Sequence, residues 1–253
     1  MKEIQYEKLT LRSDEAETAY TVTDCEKDAV EVTIPKEVDG VPVTGVGENA
    51  FKDCDKLCLV NFPENDVDDF IDEKTFRVIG DYAFSGCTSL RFIELPDWTW
   101  EIGRGAFCDC AALESAKFSD DAYVYSYAFY HCENLREVTA VRHVNEGVFS
   151  HCKSLENFPV ASGAKEIGED AFEHCYALKE IVIPASVKRI EALAFRSCRG
   201  LQRVVFEKPE GWYVSFRYAG QKARALDLSN PEKNAEMLSR QDFDDGVIAW
   251  YRK

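Results

Sequence analysis

The stretch IGEDAFEHCYALKEIVIPASVKRI, residues 167–190, contains the pattern that decides the fold. Its central phrase, Ala-Phe-x-x-Cys-x-x-Leu, occurs seven times along the chain, with Val in place of Ala in the fifth copy. Successive phenylalanines are separated by 33, 23, 22, 20, 23 and 23 residues. A leucine framework with a period of about 20 to 29 residues is typical of a solenoid of stacked coils. The seven phenylalanines are Phe51, Phe84, Phe107, Phe129, Phe149, Phe172 and Phe195.

The segment after each leucine predicts a short strand. In the sixth copy, Ile181 and Ile183 lie two residues apart and therefore share one face of a strand, and Pro184 ends the segment. The return path leads through a glycine turn to one helical or 3₁₀ turn that carries the Ala-Phe pair. One coil cannot bury its leucine, isoleucine and phenylalanine side chains alone, whereas stacked coils bury all of them. We therefore predict an α/β repeat solenoid of short strands and short helical or 3₁₀ turns.

These positions together resemble the BspA-like class of bacterial leucine-rich repeats, whose unit is approximately LxxIxIPxxVxxIGxxAFxxCxx. The resemblance covers about residues 25–206. It implies a right-handed leucine-rich-repeat superhelix that binds other macromolecules, at the cell surface in several members of the family. The fourth and fifth copies depart from the pattern, because Val124-Tyr125 and Val144-Asn145 replace Ile-Gly. We expect the stack to narrow or bend there.

The chain is expected to form a single leucine-rich-repeat domain over residues 1–253, because the ends of a solenoid need caps that cover its open core. The seven full repeats occupy 46–206. An N-terminal cap with an incomplete repeat precedes them in 1–45, and a C-terminal cap follows in 207–253.

Local signals at both ends support these caps. Val38-Asp39-Gly40-Val41 predicts a hairpin turn in the N-terminal cap. Asn230 before Pro231 is the arrangement of a helix N-cap followed by proline at the first helical position, which predicts a short helix at about 231–240. The sequence VIAWY, residues 247–251, predicts a closing hydrophobic segment.

The composition excludes several classes of partner. The 253 residues contain 30 Lys and Arg against 46 Asp and Glu, a net charge of −16. So acidic a surface repels phosphate backbones and anionic lipid, which argues against nucleic acid and membrane surfaces as partners. No apolar stretch approaches the roughly 20 residues that cross a bilayer, so we expect no membrane insertion. The N-terminus has no apolar signal region, which predicts a cytoplasmic protein, or a surface or secreted one if the sequence is a fragment.

The cysteines predict a buried row of thiols. Seven of the ten occupy the same position of the phrase, where stacking places them side by side and a buried cysteine acts as a small apolar residue. Cys25, Cys58 and Cys108 fall outside this row, so we expect these three to be the reactive or bridging thiols.

Residues for catalysis or metal binding form no recognised pattern. The chain has no phosphate-binding GxxxxGK, no GxSxG, no HExxH and no CxxC, so we predict no enzymatic activity and no cofactor. Residues 64–73 contain six acidic residues without the turn glycine of a calcium loop, and a solvated charged loop is the favoured interpretation.

Three histidines form a second pattern, because His131, His151 and His174 precede the repeat cysteine in three consecutive copies and should form a column. Imidazoles at that spacing could share a zinc or nickel ion. A variable, partly exposed repeat position is the favoured interpretation, and we predict no metal.

A binding surface is the best-supported function. The positions two and four residues after each leucine should point outward from the strands, and Trp98, Trp100, Tyr125 and Tyr127 are aromatic residues outside the core positions. Such aromatic residues suit an interface or sugar stacking, whereas packing between coils of unequal length is the favoured interpretation. We predict a non-catalytic module that binds a protein, or alternatively an adhesin-type binder of carbohydrate or host matrix. The strand residues chosen as candidates are Phe92, Glu94, Lys117, Glu137, Glu180 and Arg203.

Overall fold

A computed structural model describes residues 1–63, 77–158, 160–216, 224–240 and 247–252. The predicted charged loop, residues 64–73, lies outside these ranges. A single hydrophobic core runs from Leu9 to Trp250.

The N-terminal segment is an antiparallel group of three strands, β1 (Glu3–Tyr6), β2 (Leu9–Ser13) and β3 (Tyr20–Cys25). β3 pairs in parallel with β6 (Val41–Val46), so this group continues directly into the stack of coils. β4 (Glu31–Thr33) and β5 (Glu37–Val38) lie between them in sequence.

The hairpin turn predicted between β5 and β6 is confirmed. Val38 faces Val41 across the turn. Both central residues have positive φ, 53° at Asp39 and 78° at Gly40, as the preferred two-residue hairpin turn requires.

The coils build two parallel ladders on different sides of the stack. The strands that follow the phrase leucine, together with β4, are called the first sheet and pair in three groups: β4 with β7 (Leu59–Asn61); β9 (Phe92–Glu94), β11 (Ser115–Lys117) and β13 (Glu137–Val138); and β15 (Glu180–Ile183) with β17 (Arg203–Phe206). The ladder that precedes the phrase, called the second sheet, contains β6, β8 (Val78–Ile79), β10 (Glu101–Ile102), β12 (Tyr123–Val124), β14 (Glu166–Ile167) and β16 (Arg189–Glu191). The fifth coil joins its neighbours through isolated parallel bridges at Val141, Val144 and Asn157.

The short helical or 3₁₀ turns predicted for the Ala-Phe segments are not confirmed. These segments are hydrogen-bonded turns, as where Ser85 N–H donates to Tyr82 and Cys87 N–H donates to Phe84, each three residues back. Left-handed residues interrupt them at two positions of each coil, four residues apart, and so prevent a helical turn. The described part of the chain is therefore a β-solenoid with one helix. The left-handed pairs are Asn49/Asp53, Tyr82/Gly86, Gly105/Asp109, Tyr127/His131, Gly147/His151, Asp170/His174 and Leu193/Ser197.

The Ala-Phe turns of successive coils lie above one another and form one side of the solenoid, which we call the turn edge. The phenylalanines stack along its centre. All seven are fully buried, and neighbouring rings are nearly parallel with centroids 4.7 to 5.7 Å apart. The thiols form the predicted buried row beside them. Each thiol from the second copy onward donates to the phenylalanine carbonyl of the preceding coil, as in Cys132 to Phe107 at 3.1 Å and Cys198 to Phe172 at 2.9 Å.

The glycines that precede the phrase permit close approach of the coils on the second sheet. A Cβ on Gly103 would lie 2.5 Å from the Gly80 carbonyl carbon, and one on Gly168 would lie 2.7 Å from that of Asn145. The pairing of the second sheet is interrupted between β12 and the fifth coil, although β12 itself pairs with β10. Between the fourth and fifth coils, the Asn145 side-chain amide donates to the Val124 carbonyl at 2.6 Å, whereas Gly103 and Gly168 use the backbone N–H for the equivalent bond.

The C-terminal segment covers the last coil from two sides. β18 (Trp212–Phe216), β19 (Arg224–Ala225) and β20 (Val247–Arg252) form an antiparallel group, and β20 pairs with β16 at the edge of the second sheet.

The predicted helix is confirmed as α1 (Pro231–Ser239), and Asn230 caps it by accepting from Lys233 N–H. Asn234 of α1 donates to the Val204 carbonyl of β17, so α1 closes the first sheet. The predicted closing segment is confirmed as β20.

The three cysteines outside the repeat row differ from one another. All ten are free thiols. Cys25 is buried at the start of the row beside Cys54, which corrects the expectation that it is reactive. Burial and the adjacent Asp109 raise the pKa of Cys108 to about 12. Cys58 is the exposed thiol.

We expect native thiol labelling to be fast at Cys58, slow at Cys108 and undetectable at the eight buried cysteines until the protein is denatured. Thiols react as thiolates, and burial denies the reagent access to all eight, while it also raises the pKa of stacked thiols such as Cys87, Cys110 and Cys198. Mass spectrometry after pulsed iodoacetamide treatment measures this directly. Rapid native labelling of any cysteine in the stacked row would contradict the burial of that row.

Candidate functional site

The outward residues chosen on the first sheet form a charged surface whose members pair within the chain. Arg203 lies 3.2 Å from Glu180 and 3.1 Å from Glu232 of α1. The residues just before these strands are also paired, since Arg91, before β9, lies 2.7 Å from Glu114, before β11. Exposed ion pairs of this kind contribute at most about 1 kcal/mol each, and they occupy charges that a partner would otherwise meet. The candidates Phe92, Glu94, Lys117, Glu137, Glu180 and Arg203 are all exposed on this face.

The candidate aromatic residues do not belong to a single surface. Trp98 is 38% exposed in the connection between β9 and β10, and Trp100 is 45% exposed at the start of β10. Tyr125 follows β12 on the second sheet and is 41% exposed. Tyr127 lies on the turn edge, half-buried. Trp100 and Tyr125 are therefore brought to the second sheet, and Trp98 and Tyr127 are not part of it.

Tyr127 has the contacts of a structural residue. Its ring lies over Gly147 of the next coil, where a Cβ would approach within 2.3 Å. The Arg104 guanidinium covers the ring at 4.9 Å, and the hydroxyl donates to Glu146. Burial, followed by the Glu146 hydrogen bond, raises the pKa of Tyr127 to about 12. These contacts connect three coils and leave little of Tyr127 for a ligand.

An exposed aromatic cluster lies on the second sheet. The Tyr123 ring contacts Tyr125 at 4.7 Å and His143 at 4.3 Å between centroids, and Trp100 carries Arg77 over its ring at 4.9 Å. Glu101 pairs with Tyr123 in the sheet register, and its charge is the largest cause of the raised pKa of Tyr125. We call Trp100, Tyr123, Tyr125 and His143 the second-sheet aromatic patch.

Two shallow cavities flank this patch along the glycine positions. One measures 400 Å³ and includes Gly80, Gly103 and Tyr125 in its lining, and the other measures 710 Å³ and includes His143 and Gly168. Ser126 lines both cavities. Acidic groups outnumber basic ones along the two. The acids are Asp81, Glu101, Glu146, Glu166, Glu169 and Glu191, and the bases are Arg104, Arg142 and Lys165.

The two cavities together form a groove along the second sheet. Sequence reasoning missed this groove because the second strand of each coil was treated only as a return path. The signal is present in the sequence. Ile79-Gly80, Ile102-Gly103 and Ile167-Gly168 repeat one buried residue followed by one without a side chain. In a strand this alternation leaves an open row beside exposed neighbours.

The three repeat histidines form the predicted column on the turn edge. The His151 ring lies 4.2 Å from His131 and 4.5 Å from His174, between centroids. All three occupy the second left-handed position of their coils, which histidine adopts more readily than most residues. Burial first, and then the two neighbouring imidazoles, lower the pKa of His151 to about 4.

Sequence comparison identifies the family. The model of the BspA type leucine rich repeat region matches six copies, over residues 24–76, 66–146 and 125–213. The chain belongs to this family. The six matched copies do not confirm the seven full repeats that the phrase predicts. No curated protein matches the chain.

Similar solved structures are bacterial leucine-rich repeat proteins. The *T. pallidum* leucine rich repeat protein is 27% identical, with 81% of this chain and 84% of that chain covered and a TM-score of 0.51. A leucine rich cell surface protein from *Faecalibacterium prausnitzii* is 19% identical, with 91% and 62% covered and a TM-score of 0.55. A leucine-rich repeat protein from *Bacteroides ovatus* is 21% identical, with 81% and 71% covered and a TM-score of 0.50.

Among the described residues, the BspA-type chain has no helix of the length and apolarity that a membrane span requires.

We expect His151 to make the stability of the protein depend on acid. In the unfolded chain a histidine takes up its proton near pH 6.5, whereas folded His151 has a pKa of about 4. The unfolded state therefore binds the proton first as the pH falls. The stabilisation from neutral His151 is complete above about pH 6.5 and is lost between about pH 6.5 and 4. Thermal unfolding midpoints across this range should fall less steeply for His151→Asn than for the wild type.

Asparagine suits this substitution because it tolerates the left-handed backbone of position 151. His143→Asn is the matched control, since it removes an exposed histidine outside the column. Identical pH profiles for the wild type and His151→Asn would contradict the assignment.

Proposed function

We propose that this chain is a non-catalytic binding module that contacts a protein partner through the second-sheet aromatic patch. The observation that carries this proposal is the group of exposed aromatic rings, Trp100, Tyr123 and Tyr125, beside an open groove. Tryptophan and tyrosine are the residue types that most often anchor protein interfaces.

The groove favours a basic, extended segment as the bound part of the partner. Six carboxylates against three cations line its two cavities, and the whole chain carries a net charge of −16. An acidic field attracts cationic segments and speeds their association. Ion pairs occur on both surfaces, since Arg203 lies near Glu180 on the first sheet and Arg189 lies near Glu166 and Glu191 at the second. The preference for the second sheet therefore rests on its exposed aromatic rings.

The stacked core supports binding without chemistry. Seven buried phenylalanines and a column of thiols hold the coils in register, and a repeat scaffold of this kind presents an extended surface to a partner. The exposed rings of the patch can therefore stay in place before a partner arrives, which lowers the entropic cost of association.

Carbohydrate is the second candidate ligand. Ring faces beside carboxylates and Arg104 also suit a sugar, whose apolar face stacks on an aromatic ring while its hydroxyls bond to charged groups. The *Faecalibacterium prausnitzii* relative is described as a cell surface protein, and a surface location would favour an adhesin-type binder of carbohydrate or host matrix. A cytoplasmic location would favour the protein partner.

We expect the variant Trp100→Ser/Tyr123→Ser to lose its partner while it keeps its stability. Both side chains are exposed, and exposed substitutions usually change the free energy of unfolding by less than about 0.5 kcal/mol. Immobilised native protein, read by mass spectrometry after exposure to lysate and to a peptide library, should retain basic segments that the variant does not.

Phe92→Ser is the matched control, because Phe92 is a 53% exposed aromatic residue on the first sheet. Equal loss in the control, or retention by the patch variant, would contradict the proposal. Binding to a glycan array that disappears in the patch variant, without any retained protein, would replace it with the carbohydrate candidate. Trp98→Ser alone separates Trp98 from the patch, since loss of binding in this single variant would move the site to the connection before β10.

A further inference from the structure

We propose that His151, His174 and Glu173 form a binding site for a divalent transition-metal cation of the zinc type on the turn edge. Their ligand atoms, one from each side chain, all lie within 4.8 Å of one another. The site is separate from the second-sheet aromatic patch and does not depend on the proposed function.

The separation of the ligand atoms is close to what one ion requires. Zinc binds imidazole nitrogen and carboxylate oxygen at about 2.0 to 2.2 Å, so two ligand atoms on one tetrahedral ion lie about 3.4 Å apart, and the present separations of up to 4.8 Å must shorten on binding. The rings of His151 and His174 are 4.5 Å apart between centroids and tilted by 44°. Small side-chain rotations therefore bring both nitrogens onto one ion without movement of the backbone.

The backbone at this edge is fixed by bonds between coils. His151 N–H donates to the Glu173 carbonyl at 2.7 Å, and His174 N–H donates to the Arg196 carbonyl at 2.9 Å. Both histidines have left-handed φ, 64° and 59°. The distance between the two side chains is thus set by the stack, and a metal finds its ligands already placed.

Glu173 has the outer partners that a metal-binding carboxylate commonly has. It is 7% exposed. One oxygen accepts from the Ser150 hydroxyl at 3.3 Å, and the other pairs with Arg196. A carboxylate offers about four lone-pair positions, so these contacts leave room for an ion. Because Arg196 offsets the negative charge, we expect weaker affinity than that of a structural zinc site.

The imidazole of His174 is also oriented toward the site. Its Nδ1 lies 3.1 Å from the Tyr176 hydroxyl, and its Nε2 lies 3.5 Å from Glu173 Oε1. A partner on one ring nitrogen commonly fixes the other for metal binding. Asp170 Oδ1 is buried and has no hydrogen-bond partner among the described residues.

His131 lies outside this ligand set. Its ring contacts His151 from the side opposite His174, at an interplanar angle of 57°, and its Nδ1 lies 3.4 Å from Asp109. Two histidines and one glutamate leave one tetrahedral position for water or a partner's group.

The test is calorimetric titration of Zn²⁺ into the full chain after treatment with a chelator. We expect one equivalent to bind to the wild type and to His143→Asn. We expect binding to weaken roughly tenfold or more in His151→Asn and in His174→Asn, since each removes one ligand. Asparagine keeps the left-handed backbone at both positions, and circular dichroism identifies variants that retain the fold.

Co²⁺ in place of zinc identifies the ligand atoms. Visible d–d bands without near-ultraviolet thiolate charge transfer are the expected signature of nitrogen and oxygen ligands. Thiolate bands would assign binding to a cysteine such as exposed Cys58 and overturn the proposal. No zinc binding to the wild type, or unchanged binding in a folded His151→Asn or His174→Asn variant, would overturn it as well.

Discussion

The contact on which the structure depends is the stacking of one coil's turn on the next. From the second copy onward, each repeat thiol donates to the phenylalanine carbonyl of the preceding coil, and the phenylalanine rings lie face to face along the same axis. A neutral hydrogen bond contributes about 1 kcal/mol, and loss of a buried phenylalanine side chain costs about 3 to 5 kcal/mol. The apolar stack therefore supplies most of the stabilisation, and the thiol bonds fix the register of neighbouring turns.

This contact explains why cysteine occupies the position. A residue there must be small, apolar enough for complete burial and able to donate one weak hydrogen bond to a carbonyl that already accepts from a backbone N–H. Phe84 shows both bonds, from Cys87 N–H in its own turn and from the Cys110 thiol in the next coil. Alanine would leave out the donor, and serine would bring a stronger polar group into an apolar column. The sequence predicted the buried row from its spacing, and the structure adds the carbonyl that each thiol meets.

The capping signal of Asn230 and Pro231 was sufficient to predict the terminal helix. The repeating phrase was sufficient to predict the coil and the inward rows, because these depend on local periodicity. It was not sufficient for the turn conformation. The Ala-Phe segment has the composition of a helical turn, yet two left-handed residues per coil, such as Tyr127 and His131, redirect the chain. Their positions hold Asn, Asp, Gly, His, Ser, Tyr and Leu, so composition alone gives a weak signal. Cys25 was misjudged for a related reason, since its place beside Cys54 arises from pairing of β3 with the stack.

The candidate surfaces follow from the same geometry. Close approach of the coils requires glycine on the second sheet, and a row without side chains leaves a groove. Where Tyr125 and Asn145 replace glycine, the backbone ladder is interrupted and an aromatic patch stands between two cavities. The departure from the repeat therefore weakens the stack locally and creates its most distinctive surface. On the turn edge the surface arises from regular repetition instead of from a departure from the repeat. Strict repetition of the left-handed position places His131, His151 and His174 at nearly equal separations. The irregular repeats therefore produce the second-sheet aromatic patch, and the regular repeats produce the histidine column.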